Sequence, residues 1–154
     1  MISKRSCGNL DEQGFVFLST DEKNKLNIAL RVTPSVCIVL TVIGLYLQSI
    51  EIFLLLSVFG VLGTATSKGQ PIDVLYNMVA KFINSPKIPP SPIQKRFACA
   101  IGAFFLIGAT LSIYFGSILW AYIFGVSYII AAGTMALTHF CIASWLYNRV
   151  HGNQ

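Results

Sequence analysis

Apolar residues dominate four long stretches of this chain, and short polar segments separate them. The stretches cover residues 32–47, 50–66, 97–116 and 118–138. Each is near the ~20 residues that an α-helix needs to cross a hydrocarbon layer of ~30 Å. The connections at residues 48–51 and 112–117 are short enough to be turns. The pattern therefore predicts an all-α integral membrane protein with four transmembrane helices arranged as two hairpins.

The basic residues fall outside the apolar stretches and on one predicted side of the membrane. All 11 Lys and Arg precede the first stretch, separate the second from the third, or follow the fourth, and neither short turn holds one. Cytoplasmic loops of membrane proteins carry such an excess. We therefore expect a multi-pass membrane protein with both termini in the cytoplasm.

Composition agrees with a membrane location. The chain is 55% hydrophobic and only 11% charged, which leaves too little polar surface for a soluble globule of 154 residues. The net charge of +5 lies in loops that face anionic lipid, so the bilayer is the expected partner and nucleic acid is not. Polar residues 8–13 follow the basic N-terminal segment, so no cleavable signal peptide is expected.

The N-terminal segment, residues 1–23, contains one clear helix start. Ser19 and Glu22 have the spacing of a capping box, which predicts a helix from Thr20 toward the membrane. Pro34 then either kinks this helix or opens a separate helix capped by Thr33, and we favour the kink. The first transmembrane hairpin is assigned to residues 24–67.

A cytoplasmic loop, residues 68–95, joins the hairpins and contains an amphipathic segment. The helical spacing of its apolar residues predicts a short helix lying on the membrane surface, with Asp73 on the opposite, polar face. Its apolar face comprises Ile72, Leu75, Tyr76, Val79, Phe82 and Ile83. Residues 85–92 contain four prolines, which predict an extended spacer, or alternatively a ligand for a partner domain. The second hairpin takes residues 96–148, and a tail takes 149–154.

Apart from Glu51 at the outer turn, the apolar stretches contain no Asp, Glu, Lys or Arg, which argues against a proton pump or an ion-coupled transporter. Candidate chemistry is confined to thiols and one imidazole near the predicted cytoplasmic edge. Expected membrane-interface residues are Arg31, Lys95, Arg96, Trp145 and Tyr147.

Cys141 to Ser144 has the spacing of a two-thiol redox motif with serine in the second place. Such a thiol attacks a disulfide but has no resolving thiol beside it. A cysteine in an apolar helix is more often a packing residue, and we favour that interpretation. His139 lies nearby, but no second ligand accompanies it at metal-binding spacing, so neither a metal nor another cofactor is expected. Cys141, Cys99 and His139 are the candidate catalytic residues.

The four cysteines should remain reduced, because all are predicted in or near the cytoplasm. Antiparallel pairing of the last two helices sets Cys99 opposite about residue 134. Cys141 then lies ~10 Å beyond, which disfavours a direct disulfide. Cys37 and Cys99 have more similar predicted depths, but the sequence does not show whether they face each other.

The chain resembles the bacterial membrane family called domain of unknown function 4395, which implies a location in the bacterial cytoplasmic (inner) membrane. The resemblance covers about residues 24–149 and rests on the steps Gln70-Pro71-Ile72 and Arg96-Phe97-Ala98 and on Phe140-Cys141-Ile142. Ser144 stands where that family usually has the second Cys of a Cys-x-x-Cys motif. Some relatives carry thioredoxin-like or rhodanese-like domains. The resemblance thus implies thiol or sulfur handling, with such a protein as a partner.

The sequence contains no complete catalytic set, so a non-enzymatic role is favoured over an enzyme. The first hypothesis is a membrane scaffold or accessory subunit, with oligomerisation left open. The alternative is a thiol-dependent redox or sulfur-relay protein that uses Cys141. A small-solute channel is the third.

Overall fold

The computed structural model describes residues 4–82 and 85–151, with side chains from Cys7 onward, and all regular secondary structure in these ranges is helical. The all-α prediction is therefore confirmed. The helices are α1 (Lys4–Glu12), α2 (Thr20–Leu26), α3 (Ala29–Leu47), α4 (Ile50–Ala65), α5 (Pro71–Phe82), α6 (Ile93–Tyr114), α7 (Ile118–Thr138) and α8 (Ile142–His151).

Within the described residues, three helical stretches, not the predicted four, are long and apolar enough to cross a membrane: α2–α3 (Thr20–Leu47), α6 and α7. The exception is α4, whose 16 residues extend only ~24 Å at 1.5 Å per residue. Its start is set by Ser49, whose hydroxyl accepts the N–H of Ile52 at 3.4 Å. Its end is set by Thr66, where the backbone becomes extended. The prediction of four helices of spanning length is wrong for this element.

The two hairpins interlock. Helix α4 packs mainly against α6, and α3 packs more extensively against α7 than against its own hairpin partner α4. Small residues permit this close approach: a Cβ placed on Gly60 of α4 would lie 2.9 Å from the Cβ of Ala103. Similarly, a Cβ on Gly125 of α7 would lie 2.8 Å from Leu45 of α3. The start of α3, the end of α4, the start of α6 and the end of α7 consequently share one face of the bundle.

The N-terminal helices and the proline-rich linker cover that face. The capping box at the start of α2 is confirmed, with the Ser19 N–H donating to Glu22 at 2.8 Å and the Glu22 N–H donating to Ser19 at 3.3 Å. The helix breaks at Asn27 and Ile28, and Pro34 lies inside α3, so a separate helix beginning at Pro34 is excluded. A small core holds these segments together: Leu10, Phe15, Leu26, Ala29, Leu30 and Ile88.

Helix α5 occupies the predicted amphipathic segment. Leu75, Val79 and Phe82 are exposed, with Phe82 at 86% of its full accessibility, whereas Ile72 and Tyr76 are half-buried. Ile83 lies outside the described residues. Asp73, expected on the polar face, is instead 1% exposed, because it turns inward to a buried lysine described below.

The predicted fourth span ends at Thr138, and the chain then turns sharply. His139 adopts a left-handed conformation with φ +56°, and α8 begins at Ile142 as a separate helix packed on α6. The segment from Thr138 to Tyr147 is therefore not one continuous helix end.

Candidate functional site

Three of the four cysteines line one cavity of about 360 Å³ on the covered side of the bundle. Its walls come from α3, α6, α7 and the start of α8, and they are mostly apolar. Cys37, Cys99 and Cys141 contribute to the lining, together with the polar side chains of Gln13, Gln70, Lys95, Thr33, Ser127 and Tyr128. All four cysteines of the chain are free thiols.

The carboxamide of Gln70 lies between two of these thiols. Cys37 donates its S–H to Gln70 Oε1 at 3.9 Å, and Gln70 Nε2 donates to Cys99 Sγ at 3.3 Å. The Tyr128 hydroxyl lies beside Cys37. Cys37 and Cys99 therefore do face a common space, which the sequence left open. Because both thiols bond to the same carboxamide, a disulfide between them would require these hydrogen bonds to Gln70 to break.

Gly63 of α4 makes room for this arrangement. A Cβ at this position would lie 2.6 Å from Gln70 Cγ and 3.2 Å from Cys99 Sγ. The contact with Gln70 is below 3.0 Å and would force a neighbour to shift, and the contact with Cys99 is tighter than an ordinary van der Waals contact. The absence of a side chain at Gly63 thus fixes where Gln70 and Cys99 meet.

A buried ion pair fixes the backbone of Gln70. Lys95 Nζ lies 2.9 Å from Asp73 Oδ2, and both side chains are at least 92% buried. The same carboxylate accepts the backbone N–H of Gln70 at 3.2 Å, and the Thr33 hydroxyl donates to its other oxygen. A buried charge pair of this kind needs its surrounding hydrogen bonds to offset desolvation. The pair anchors the N-terminus of α5, and with it Gln70, to α3 and α6.

Cys141 immediately precedes α8, and its carbonyl accepts the Trp145 N–H at 3.0 Å. Ser144, which takes the second place of the motif, is fully buried and donates to the Gln94 carbonyl at 3.2 Å. It does not line the cavity. Cys141 therefore faces the cavity without a motif partner.

His139 is not among the residues that line the cavity. Its Nε2 lies 2.6 Å from Asn27 Oδ1 and 3.1 Å from Arg31 Nε. Burial, with a smaller contribution from the charge of Arg31, lowers the pKa of His139 to about 4. The ring is therefore neutral at pH 7, and its contacts hold the turn between α7 and α8 against the N-terminal segment, where Gln13 donates to the His139 carbonyl at 2.5 Å.

The remaining expected interface residues have varied surroundings. Arg31 and Arg96 donate to carbonyl groups at helix ends, whereas Lys95 is buried in the ion pair. Trp145 is partly exposed beneath the guanidinium of Arg149, 5.9 Å from the ring centroid, and Tyr147 stacks on His151 at 4.4 Å. Among the residues that the structure describes, no three His, Cys, Asp or Glu side chains are placed to hold a metal ion.

The fold and this cavity define an all-helical protein with apolar helices of membrane-spanning length and a thiol-lined interior. The chain belongs to the family described as Domain of unknown function (DUF4395), whose model matches residues 27–151. No curated protein and no solved structure matches the chain.

Sequence reasoning identified Cys99 and Cys141 but missed Gln70, Asp73, Gln13 and Tyr128 as parts of the site. Gln70 carried one usable signal, since it precedes Pro71 and so falls at the cap of a helix. A polar cap residue at the edge of an apolar bundle has to satisfy its side chain inward or in water. Nothing in the sequence indicates which of the two applies.

Proposed function

We propose that this chain is a multi-pass protein of the bacterial cytoplasmic membrane in which α4 crosses together with α3, α6 and α7, leaving both termini in the cytoplasm. The placement of the helix ends supports this topology. Arg31 and Arg96 lie at the face where α4 and α7 end, and the turns at the other face contain no Lys or Arg. The short α4 implies a locally thin hydrocarbon layer.

We further propose that the protein is thiol-dependent and relays sulfur through Cys141. One observation carries this proposal: three cysteines from three separate parts of the chain, Cys37, Cys99 and Cys141, converge on a single cavity. Packing alone explains a lone cysteine in an apolar helix. It does not explain why two of these thiols share the hydrogen bonds of one glutamine.

The separation of the thiols favours sulfur transfer over dithiol chemistry. Ser144 is turned away to Gln94, and Gln70 lies between Cys37 and Cys99, so each thiol acts singly. In the proposed step the Cys141 thiolate attacks the outer sulfur of a donor persulfide, R–S–SH. The S–S bond of the donor breaks, R–S⁻ leaves, and Cys141 becomes a persulfide whose proton comes from the donor. No external oxidant is consumed.

The donor is a thiol-bearing partner on the cytoplasmic side. A rhodanese-like or thioredoxin-like protein, the kind of partner that the family resemblance implies, has the required chemistry. Cys141 is half-buried at the start of α8, whereas Cys37 and Cys99 are buried, so a macromolecular donor reaches Cys141 first.

Exposure of the purified protein to glutathione persulfide tests this function. Alkylation followed by peptide mass spectrometry reports the persulfide at each cysteine. We expect it at Cys141 first, and its loss in Cys141→Ser, whereas Cys7→Ser is the matched control because Cys7 does not line the cavity. Equal modification of Cys7 and Cys141 in the native protein contradicts a dedicated relay thiol.

The scaffold and channel roles stay predictions, because no contact among the described residues specifically supports either of them. A partner retained in mild detergent supports the first, and solute flux in liposomes supports the second. Either result together with an unmodified Cys141 replaces the proposal made above.

A further inference from the structure

A second concave surface lies beside α5 and shares no lining residue with the thiol cavity. It has a volume of about 440 Å³ and lies between the end of α4, the following loop and the first turns of α5. Its lining is apolar except around one basic residue, and comprises Leu62, Thr66, Lys68, Gly69, Pro71, Val74, Leu75 and Met78. We call this surface the α5 groove.

The walls of the groove are open to the surroundings of the protein. Leu75 and Met78 of α5 are 61% and 60% exposed, and Leu62 of α4 is 42% exposed. Large apolar side chains that stay exposed together indicate a surface that something else covers. On α4 the exposed apolar residues continue beyond the groove through Val61, Val58, Leu55 and Leu54. The groove is therefore the end of a longer apolar strip.

That continuity indicates the occupant. If α4 crosses the bilayer, as proposed above, its exposed strip faces acyl chains, and the groove meets the same chains at the membrane edge. Helix α5 is amphipathic, carries its exposed apolar residues on this side, and is too short to span. An acyl chain that follows α4 thus continues into the groove without leaving an apolar environment.

Lys68 gives the groove a charge at its polar end. Its side chain is exposed, and no hydrogen bond or ion pair engages it among the described residues. Other basic side chains of the same loop, Lys81 and Lys87, are exposed as well. A cation at the end of an apolar channel matches a lipid that joins a phosphate headgroup to an acyl chain.

We propose that the α5 groove binds one anionic phospholipid of the cytoplasmic leaflet, with the headgroup phosphate at Lys68 and an acyl chain along Leu62, Leu75 and Met78. The bound lipid fixes α5 against the bilayer. Helix α5 begins directly after Gln70, so a lipid that fixes α5 also restricts where the Gln70 side chain can lie. The proposal rests on the transmembrane placement of α4, but not on the chemistry of Cys141.

The test is lipid retention by the whole protein in nanodiscs made from an equimolar mixture of phosphatidylcholine and phosphatidylglycerol. Native mass spectrometry counts the lipids that stay bound when the protein is released. We expect one phosphatidylglycerol to be retained in preference to phosphatidylcholine. Lys68→Gln lowers its retention about fivefold, because one Lys near an anionic surface contributes ~1 kcal/mol.

Matched variants separate the groove from general membrane affinity. Lys81→Gln removes the same charge from an exposed position of α5 outside the groove, and we expect no change. Leu75→Gln lowers retention, whereas Val79→Gln, which changes an exposed apolar residue beyond the groove, does not.

Three outcomes overturn the proposal. They are equal retention by Lys68→Gln and the native protein, equal retention of the two lipids, and release of a dimer whose formation depends on Leu75, which makes a second copy the occupant. A native protein that does not reconstitute into nanodiscs at all contradicts the membrane placement. Reconstitution without lipid preference contradicts the groove alone.

Discussion

Arg31 and Arg96 hold reciprocal positions in the two hairpins, because each guanidinium donates to the last carbonyl groups of a helix in the other hairpin. Arg31 reaches the Leu137 carbonyl of α7 at 3.3 Å. Arg96 reaches the Thr64 carbonyl of α4 at 2.8 Å and the Ala65 carbonyl at 3.3 Å. The last carbonyl groups of a helix have no partner within it. A cation at this C-terminal end also interacts favourably with the helix dipole.

Replacing either arginine should therefore weaken the packing of one hairpin on the other and lower the stability of the protein. We expect Arg96→Gln to lower the free energy of unfolding by ~1.5–3 kcal/mol, the range for a hydrogen bond to a charged group. Arg31→Gln should act in the same direction. Reversible unfolding in mixed detergent micelles measures the change. Arg149→Gln, which removes an exposed arginine over Trp145, should stay within ~0.5 kcal/mol. Similar losses in Arg96→Gln and Arg149→Gln would remove the capping explanation.

Gly63→Ala should disturb the thiol cavity directly, because the new methyl group overlaps Gln70 and approaches Cys99. We expect a loss of ~1–3 kcal/mol in stability, typical of overpacking, and faster alkylation of Cys99. Gly133→Ala in α7 is the matched control, since its Cβ meets nothing within 4 Å. That change should be neutral or slightly stabilising. An unchanged alkylation rate of Cys99 in Gly63→Ala contradicts the close packing described here.

Asp73→Asn should be among the most damaging single changes, because it leaves the Lys95 charge buried without its partner. Removal of one member of a buried pair costs ~3–5 kcal/mol. Asp73→Asn combined with Lys95→Met should recover most of this loss, since no unpaired charge remains. Lys81→Met, on the exposed part of α5, serves as the control. A double variant as unstable as the sum of its parts argues that the pair itself is not the source of the effect.

Stability should fall between neutral pH and pH 5 because of His139. Its pKa is about 4 in the folded protein, below the ordinary 6.5, so the unfolded chain binds the proton more strongly. The stabilisation is complete above pH 6.5 and is lost as the pH falls toward 4. We expect a change of about 1–2 kcal/mol between pH 7.5 and 5. Unfolding measured at both pH values checks this.

His139→Asn is the control variant, because asparagine tolerates the left-handed backbone at this position and has no proton to gain. The difference between the two pH values should shrink in this variant. If it stays the same size, the carboxylates of the chain account for the pH dependence instead.

Much of the fold followed from where polar residues interrupt the apolar ones. The ends of α3, α6 and α7, the capping box at Ser19 and the amphipathic α5 all have local signals, and the structure contains each of these elements. The bounds of α4 differ from the predicted stretch 50–66 only at Thr66, where the backbone is extended and the hydroxyl donates to the Leu62 carbonyl at 2.9 Å. The error was to treat a stretch this short as near enough to the ~20 residues that a span needs.

The site was harder to predict, because it depends on which helices become neighbours. An antiparallel register placed Cys141 ~10 Å beyond Cys99 on the assumption that α7 continues straight. The turn at His139 redirects the chain, and α8 packs on α6, so both thiols line one cavity. Asp73 was expected to face water because helical spacing shows only which residues share one face of a helix. It does not show that Lys95, 22 residues later, lies inside the protein where it can pair with Asp73.

The interlocked pairing of the hairpins constrains how the protein is made. During synthesis α3 and α4 leave the ribosome before α7 and α6, their main packing partners. During part of translation, Gly60 and Cys37 of the first hairpin therefore lack the residues of α6 and α7 that lie against them in the finished protein. The Lys95 partner of Asp73 is also still missing at that stage. Assembly of the bundle therefore has to follow synthesis of the second hairpin, and a chain truncated after the linker lacks the main packing partners of both helices of its first hairpin.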